Sequence, residues 1–255
     1  GELAIGLDRP AGMGSDTIPG GFIAILDDAA RSYKLMGWRR VSLPAYNSAN
    51  GETRPCAGDV DGDGRDEILV SLGRYPANGG WSVLFDDAST GFVARRWTRF
   101  PFTTYNAANG ETWSSMGDID GDGVAEVVTG MGSYPNNGGW IQVKDDYSTV
   151  FKQIRWLRVP WGPYNAANGE TRPTLGNVIA GTGADGAPPQ PIPGDAKEEI
   201  LVGLGAYPPS GGWVEIRGPN GNIAGTINFE TRTLDGIQRT VAVFRPEQQF
   251  LPNET

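Results

Sequence analysis

Tyr46-Asn47-Ser48-Ala49-Asn50-Gly51-Glu52-Thr53 returns as Tyr105-Asn106-Ala107-Ala108-Asn109-Gly110-Glu111-Thr112 and again as Tyr164-Asn165-Ala166-Ala167-Asn168-Gly169-Glu170-Thr171, each copy 59 residues after the one before. A fixed period of that length signals one supersecondary unit stacked on copies of itself. Two of the copies lead into a ladder of carboxylates, Asp59-Val60-Asp61-Gly62-Asp63-Gly64-Arg65-Asp66-Glu67 and Asp118-Ile119-Asp120-Gly121-Asp122-Gly123-Val124-Ala125-Glu126.

Each unit offers four segments of strand length. In the copy that follows Gly51 they are Thr53 to Gly58, the apolar run Glu67 to Gly73, the alternating Gly80 to Asp86, and the more polar Phe92 to Phe100. Their composition and alternation are those of β-strands, and nothing in the unit has helical period. The turn Arg74 to Gly79 carries Pro and Gly where the chain must reverse, and it recurs at Ser133 to Gly138 and Ala206 to Gly211. Four antiparallel strands per repeat describe the blade of a β-propeller, so the expected class is all-β. Phe22, Trp81, Trp140 and Trp213 open the third strand of their units, and Trp38, Trp97 and Trp156 sit in the fourth. Large side chains in constant register read as packing between blades.

The units fall at about residues 1–50, 51–109, 110–168 and 169–235, with 236–255 left as a tail. Glu2 to Leu7 aligns with Glu67 to Leu72, so the first unit lacks a first strand and its acidic loop. Phe229-Glu230-Thr231-Arg232 aligns with Gly169-Glu170-Thr171-Arg172 and reads as a surplus first strand. Two architectures follow. Residues 229–235 pair with residues 2–7 and close a four-bladed ring, or the four repeats are an arc of a larger propeller in a longer parent chain.

Composition excludes several function classes. The 255 residues carry 38 glycines and 19 prolines, which suit many short strands and turns, and the formal charge is −9. An acidic chain without a basic tract repels nucleic acid and anionic membranes, and no apolar run is long enough for membrane insertion. No signal peptide is evident. There is no histidine, which removes Ser-His-Asp hydrolysis, zinc-hydrolase chemistry and His-ligated haem within this chain. Cys56 stands alone and reads as a buried structural thiol, so no disulfide forms within the chain.

The ladders carry the strongest chemical signal. Asp59, Asp61 and Asp63 at loop positions 1, 3 and 5, the Arg65 carbonyl at 7 and Glu67 at 9 place five oxygen donors around one point. Asp118, Asp120, Asp122, the Val124 carbonyl and Glu126 do the same. Hard oxygen donors in that number suit Ca²⁺ better than Mg²⁺, and without a cation three crowded aspartates would repel one another. The spacing is not that of an EF-hand, whose loop ends in Glu at position 12 between helices. In the unit that begins at residue 169 the corresponding loop is 14 residues longer, and Asn177, Asp195 and Glu199 could still occupy positions 1, 5 and 9.

Asp-x-Asp-x-Asp-Gly followed by an apolar strand and a Gly-rich turn resembles the FG-GAP or VCBS repeat, the unit of the integrin α-chain propeller and of many secreted bacterial proteins. The likeness covers about residues 1–235, with the acidic loop in two of four units. It implies an extracellular or cell-surface β-propeller with Ca²⁺ in the blade loops and a role in adhesion or ligand recognition, or as a module beside an enzyme. Propellers of that family usually have seven or more blades.

The repeated phrase joins the fourth strand of one unit to the first of the next, so its copies are expected to share one propeller face. Tyr46, Asn50, Tyr105, Asn109, Tyr164 and Asn168 would there contact an extracellular glycan or protein ligand, three weak sites acting together. The plainer alternative is a turn in which Asn and Gly serve the backbone. A structural subunit of an extracellular assembly is the second reading. A polysaccharide lyase-type enzyme is the third, disfavoured because its carboxylates repeat whereas a catalytic constellation is normally unique. The expectation is a non-enzymatic binding module.

Overall fold

A computed structural model describes residues 2–8, 20–76, 78–177, 197–207, 212–218, 221–234 and 237–246, with side chains described through residue 227. The chain folds as an all-β arc of antiparallel blades. The first holds β1 (Leu3–Gly6), β2 (Phe22–Leu26) and β3 (Leu35–Arg40), followed by the short helix α1 (Pro44–Ala49). The second holds β4 (Thr53–Gly58), β5 (Glu67–Leu72), β6 (Trp81–Phe85) and β7 (Ala94–Arg99), followed by α2 (Thr103–Ala108). The third holds β8 (Thr112–Gly117), β9 (Glu126–Met131), β10 (Trp140–Lys144) and β11 (Gln153–Arg158), followed by α3 (Gly162–Ala167). The fourth holds β12 (Thr171–Gly176), β13 (Glu199–Leu204), β14 (Trp213–Arg217), β15 (Ile223–Leu234) and β16 (Ile237–Pro246).

Within each blade neighbours in sequence are neighbours in the sheet, and the register repeats with the period. Thr53 faces Leu72 and Gly58 faces Glu67; Thr112 faces Met131 and Gly117 faces Glu126; Thr171 faces Leu204 and Gly176 faces Glu199. All six residues of β5 and of β9 are buried, because a blade in mid-stack is covered on both faces, whereas the outer strand β7 is largely exposed. The core therefore lies in layers between blades. Ile23 and Ile25 of the first blade meet Val70 and Val83 of the second, Leu69 and Leu84 of the second meet Met116 and Val127 of the third, and Val128 and Val143 of the third meet Ile200 and Val202 of the fourth. Cys56 is only partly buried, against the second of these layers, and is free.

Two expectations are corrected. Ring closure by residues 229–235 does not occur. Residues 229–234 belong to β15, which continues without a break from Ile223 and pairs along its length with β16, from Gly225 opposite Pro246 to Leu234 opposite Ile237. Among the described residues β1 pairs with β2 alone, and the sheets stay open. A hairpin returning after two residues closes a far shorter loop than a ring spanning the chain, and Asp235-Gly236 between the strands is a strong hairpin dipeptide. Residues 237–246 accordingly belong to the last sheet and not to a tail. The second correction is helical. The phrase expected to be a turn begins inside α1, α2 and α3, each six residues long. A helix under two turns shows no periodicity for a sequence reading to find, although Pro44 and Pro163 stand where a first helical turn accepts proline.

Candidate metal centres

The loop between β4 and β5 is wound tightly around its first aspartate. The Asp59 carboxylate accepts from the backbone N–H groups of Gly62 at 2.7 Å, Asp63 at 3.2 Å and Gly64 at 2.8 Å. Gly62 and Gly64 have φ of +76° and +86°, which only glycine adopts without strain, and this alternation turns the chain back on itself. The loop between β8 and β9 repeats the winding. Asp118 accepts from Gly121 at 2.6 Å and Gly123 at 2.9 Å, and Asp122 accepts from Val124 at 2.8 Å. Arg65 and Val124 follow the second loop glycine, at the position expected to offer a backbone carbonyl.

Each loop ends on a glutamate that the sheet register carries inward. Glu67 is 2% exposed and Glu126 is 0% exposed. One oxygen of each accepts a backbone N–H, Val60 to Glu67 at 3.0 Å and Ile119 to Glu126 at 2.8 Å. The other oxygen of each, Oε1, is buried with no hydrogen-bond partner. A buried carboxylate oxygen left unpaired costs about 1–3 kcal/mol or more. Burial above all, with the nearby aspartate charges adding and the backbone N–H opposing, pushes Glu67 up to about 7 and Glu126 up to about 8. Asp61 is raised as well, by burial and then by Asp63.

The carboxylates converge. Oxygens of Asp59, Asp61 and Glu67 lie within 4.8 Å of one another, as do those of Asp118, Asp120 and Asp122. An all-oxygen donor set with an orphaned buried oxygen fits a hard divalent cation, so both loops are candidate metal centres. In the fourth blade Glu199 is buried and faces Gly176 in the register of Glu67 and Glu126, and Asn177 directly follows that strand. Asp195 lies outside the described residues.

Two further groupings join residues that the ladder reading did not include. Asp63 and Glu67 meet Asp87, and Asp120 and Glu126 meet Asp145, with oxygens again within 4.8 Å. Asp87 and Asp145 come from the connection that follows the third strand of each blade. The signal was present, since Asp27-Asp28, Asp86-Asp87 and Asp145-Asp146 recur at the same 59-residue step. The second aspartate of each pair also caps a tight turn: Asp87 accepts from Ser89 N–H at 2.8 Å and Asp146 from Thr149 N–H at 3.2 Å.

The ligand face expected of the phrase is corrected by burial. Tyr46, Tyr105 and Tyr164 are fully buried. Their hydroxyls donate to the carbonyls of Glu52, Glu111 and Glu170 and accept from the N–H groups of Gly73, Gly132 and Gly205, at 2.7 Å in each case. Asn50, Asn109 and Asn168 donate to the carbonyls of Arg74, Ser133 and Ala206 at 2.8, 2.8 and 2.6 Å, and each accepts the N–H two residues on. The glycine of the phrase is equally constrained, because a Cβ on Gly79 would stand 2.5 Å from the Gly110 Cα, and Gly110 has φ +67°. The Thr Oγ1 completes the joint. Thr112 accepts from Leu72 N–H at 3.1 Å and donates to the Trp81 carbonyl at 3.1 Å. Thr53 and Thr171 do the same to Leu7 and Phe22, and to Met131 and Trp140. The phrase is a device that fastens one blade to the next: the tyrosine hydroxyls, the second asparagine of each copy and the threonine hydroxyls are spent on the backbone, and the glutamate carboxylates on Arg54 and Arg172. Comparison with known proteins finds no family model that matches this chain and no match among curated proteins.

Proposed function

We propose that this chain is a Ca²⁺-stapled β-propeller module of the FG-GAP or VCBS type, acting at an extracellular or cell surface in binding or adhesion and not as an enzyme. The observation that carries the reading is the pair of buried glutamates, each with an orphaned oxygen and each grouped with loop aspartates, at equivalent places in consecutive blades. Asp59, Asp61, Asp63, Glu67 and the Arg65 carbonyl would hold one ion, and Asp118, Asp120, Asp122, Glu126 and the Val124 carbonyl the other. A bound Ca²⁺ supplies the positive charge the clusters lack. The protein's part is to pre-wind the loop around its first aspartate and to bury the last ligand. A donor set repeated in two blades suits a structural ion better than a unique catalytic constellation.

The test is thermal unfolding with titrated Ca²⁺, Mg²⁺ and chelator. An ion bound only by the folded chain at one hundred times its dissociation constant adds about 2.7 kcal/mol per site. Ca²⁺ should raise the melting temperature well above its value in chelator, and Mg²⁺ should raise it less. Superimposable curves in millimolar Ca²⁺ and in chelator would sink the proposal. Glycan and protein arrays probed in Ca²⁺ then address recognition, and an array without signal leaves a scaffold.

One observation favours the assembly-subunit reading alongside it. Among the described residues one edge of β1 pairs with no strand, and Leu3 and Ile5 of that strand are exposed. Open edges invite pairing with another chain. Light scattering across a concentration series checks this, and a strictly monomeric protein counts against it.

A further inference from the structure

We propose that the two acidic loops are unequal cation sites: Asp145 completes the third-blade site as a ligand from a second hairpin, whereas in the second blade Arg65 and Arg95 already supply part of the positive charge. The inference rests on the cation reading above and concerns how this chain divides the work between its loops.

The two sites start from the same backbone. Both have the wound aspartate, the glycine pair and the buried glutamate with one unpaired oxygen. They differ in what surrounds them. In the second blade Arg95 donates from Nε to Asp86 at 2.6 Å and sits with Asp61, Glu67, Asp86 and Tyr147 around one recess. Arg65 Nη1 stands 3.6 Å from Asp63 and 3.4 Å from Asp87. Both aspartates of that hairpin are thus neutralised from within the chain, and Asp87 is further held by the N–H and hydroxyl of Ser89.

In the third blade the same two positions, one period on, are Ile154 and Val124. No guanidinium replaces them. Asp145 approaches Asp120 and Glu126, and it accepts the N–H of Asp146 at 3.2 Å. Where Arg95 and Tyr147 leave no room for water in the second-blade recess, a cavity of ≈130 Å³ lies beside Asp120, lined also by Ile119, Ile154 and Arg155. Arg155 forms no ion pair with Asp120 or Asp145 within the 4.0 Å contact distance among the described residues. The stem of Lys197 lies against Gly121 of the same loop. Each loop gathers five carboxylates, but Asp86 and Asp87 are paired with guanidinium groups whereas Asp145 forms no ion pair with an arginine among the described residues, so the third-blade site keeps more of its ligand charge for a cation, and ligand charge sets Ca²⁺ affinity.

Isothermal titration of the whole chain with CaCl2 at low ionic strength tests this, with Asp59→Asn and Asp118→Asn assigning each binding class to its loop. Two classes are expected, the tighter in the third blade by about tenfold or more. Asp145→Asn keeps the acceptor for the Asp146 N–H and should weaken the tight class by about tenfold while leaving the other unchanged. Arg95→Gln should tighten the second-blade class, which keeps the inference testable if the Asp145 variant folds poorly. Equal affinities in the two loops, or an unaltered tight class in Asp145→Asn, overturn the inference and leave the cation reading standing. A titration without any binding heat, with lanthanide luminescence equally silent, overturns both.

Discussion

A hydroxyl that donates and accepts at once is what makes the repeated tyrosine a joint. Removing it in Tyr105→Phe leaves the Glu111 carbonyl without that donor and the Gly132 N–H with only its longer 3.3 Å bond. The expected cost is about 1–2 kcal/mol, read as a lower urea midpoint with an unchanged slope. The glutamates give the matching electrostatic case. Their folded-state carboxyls are raised, from the ordinary 4.5 to about 7 for Glu67 and about 8 for Glu126. A raised carboxyl favours the protonated form in the folded chain, so its contribution is complete below the unfolded value and is lost as pH rises through the folded one. Without a cation, stability should therefore decline between about pH 5 and pH 8. Glu126→Gln keeps an acceptor for the Ile119 N–H and removes the charge, so its melting temperature in chelator should decline less. A wild-type curve that climbs over this interval, or a variant that declines equally, contradicts the assignment.

At the scale of elements, strands were legible and single turns were not. Glu67 to Gly73 was expected as a strand and β5 spans Glu67–Leu72, because an unbroken apolar run of that length has no other home in a stacked sheet. The helices α1 to α3 escaped, being too short for a period, and so did the true course of residues 229–246, where Phe229-Glu230-Thr231-Arg232 resembles the phrase although the strand that holds it runs on from Ile223 into a hairpin. The acidic loops were readable because their ligands are consecutive in sequence. Asp87 and Asp145 belong to Asp-Asp pairs that recur with the period, but their place beside the loops is set only by folding. Equivalent hairpins also show where backbone strain sits. Gly91 has φ +73°, and Val150, one period later, has φ +65° while half-exposed. A β-branched residue pays for left-handed backbone, so Val150→Gly should gain about 0.5–1 kcal/mol net of the flexibility glycine adds to the unfolded chain. Chemical denaturation measures it, and a loss of stability would place the compensating contact at the valine side chain.

For the whole molecule the decisive property is that among the described residues the contacts between blades join neighbours, so stability is close to a sum of blade and joint terms. The inner strands β4, β8 and β12 carry the joints. Beside them Trp113 lies between two guanidinium groups, Arg54 at 3.8 Å and Arg172 at 4.5 Å from its ring centre, and Arg54 is paired with Glu52 and Glu111 at 2.5 Å each. This lattice ties the second, third and fourth blades, whereas the first is held by Thr53 and the Ile23–Val70 layer. Thr112→Val preserves shape but leaves the buried Leu72 N–H and Trp81 carbonyl without their shared hydroxyl, a loss of about 2 kcal/mol at the central joint. Thr53→Val makes the same change at the first joint. If the joints are independent, the two variants should lose similar free energy but unfold differently. The central substitution should divide the transition, so that the calorimetric enthalpy exceeds the van't Hoff value. The terminal one should release the first blade early, seen as faster amide exchange confined to β1 to β3. A single shared transition in both variants would mean that the arc unfolds as one cooperative body, with the Arg54, Trp113 and Arg172 stack strong enough to carry the coupling past a broken joint.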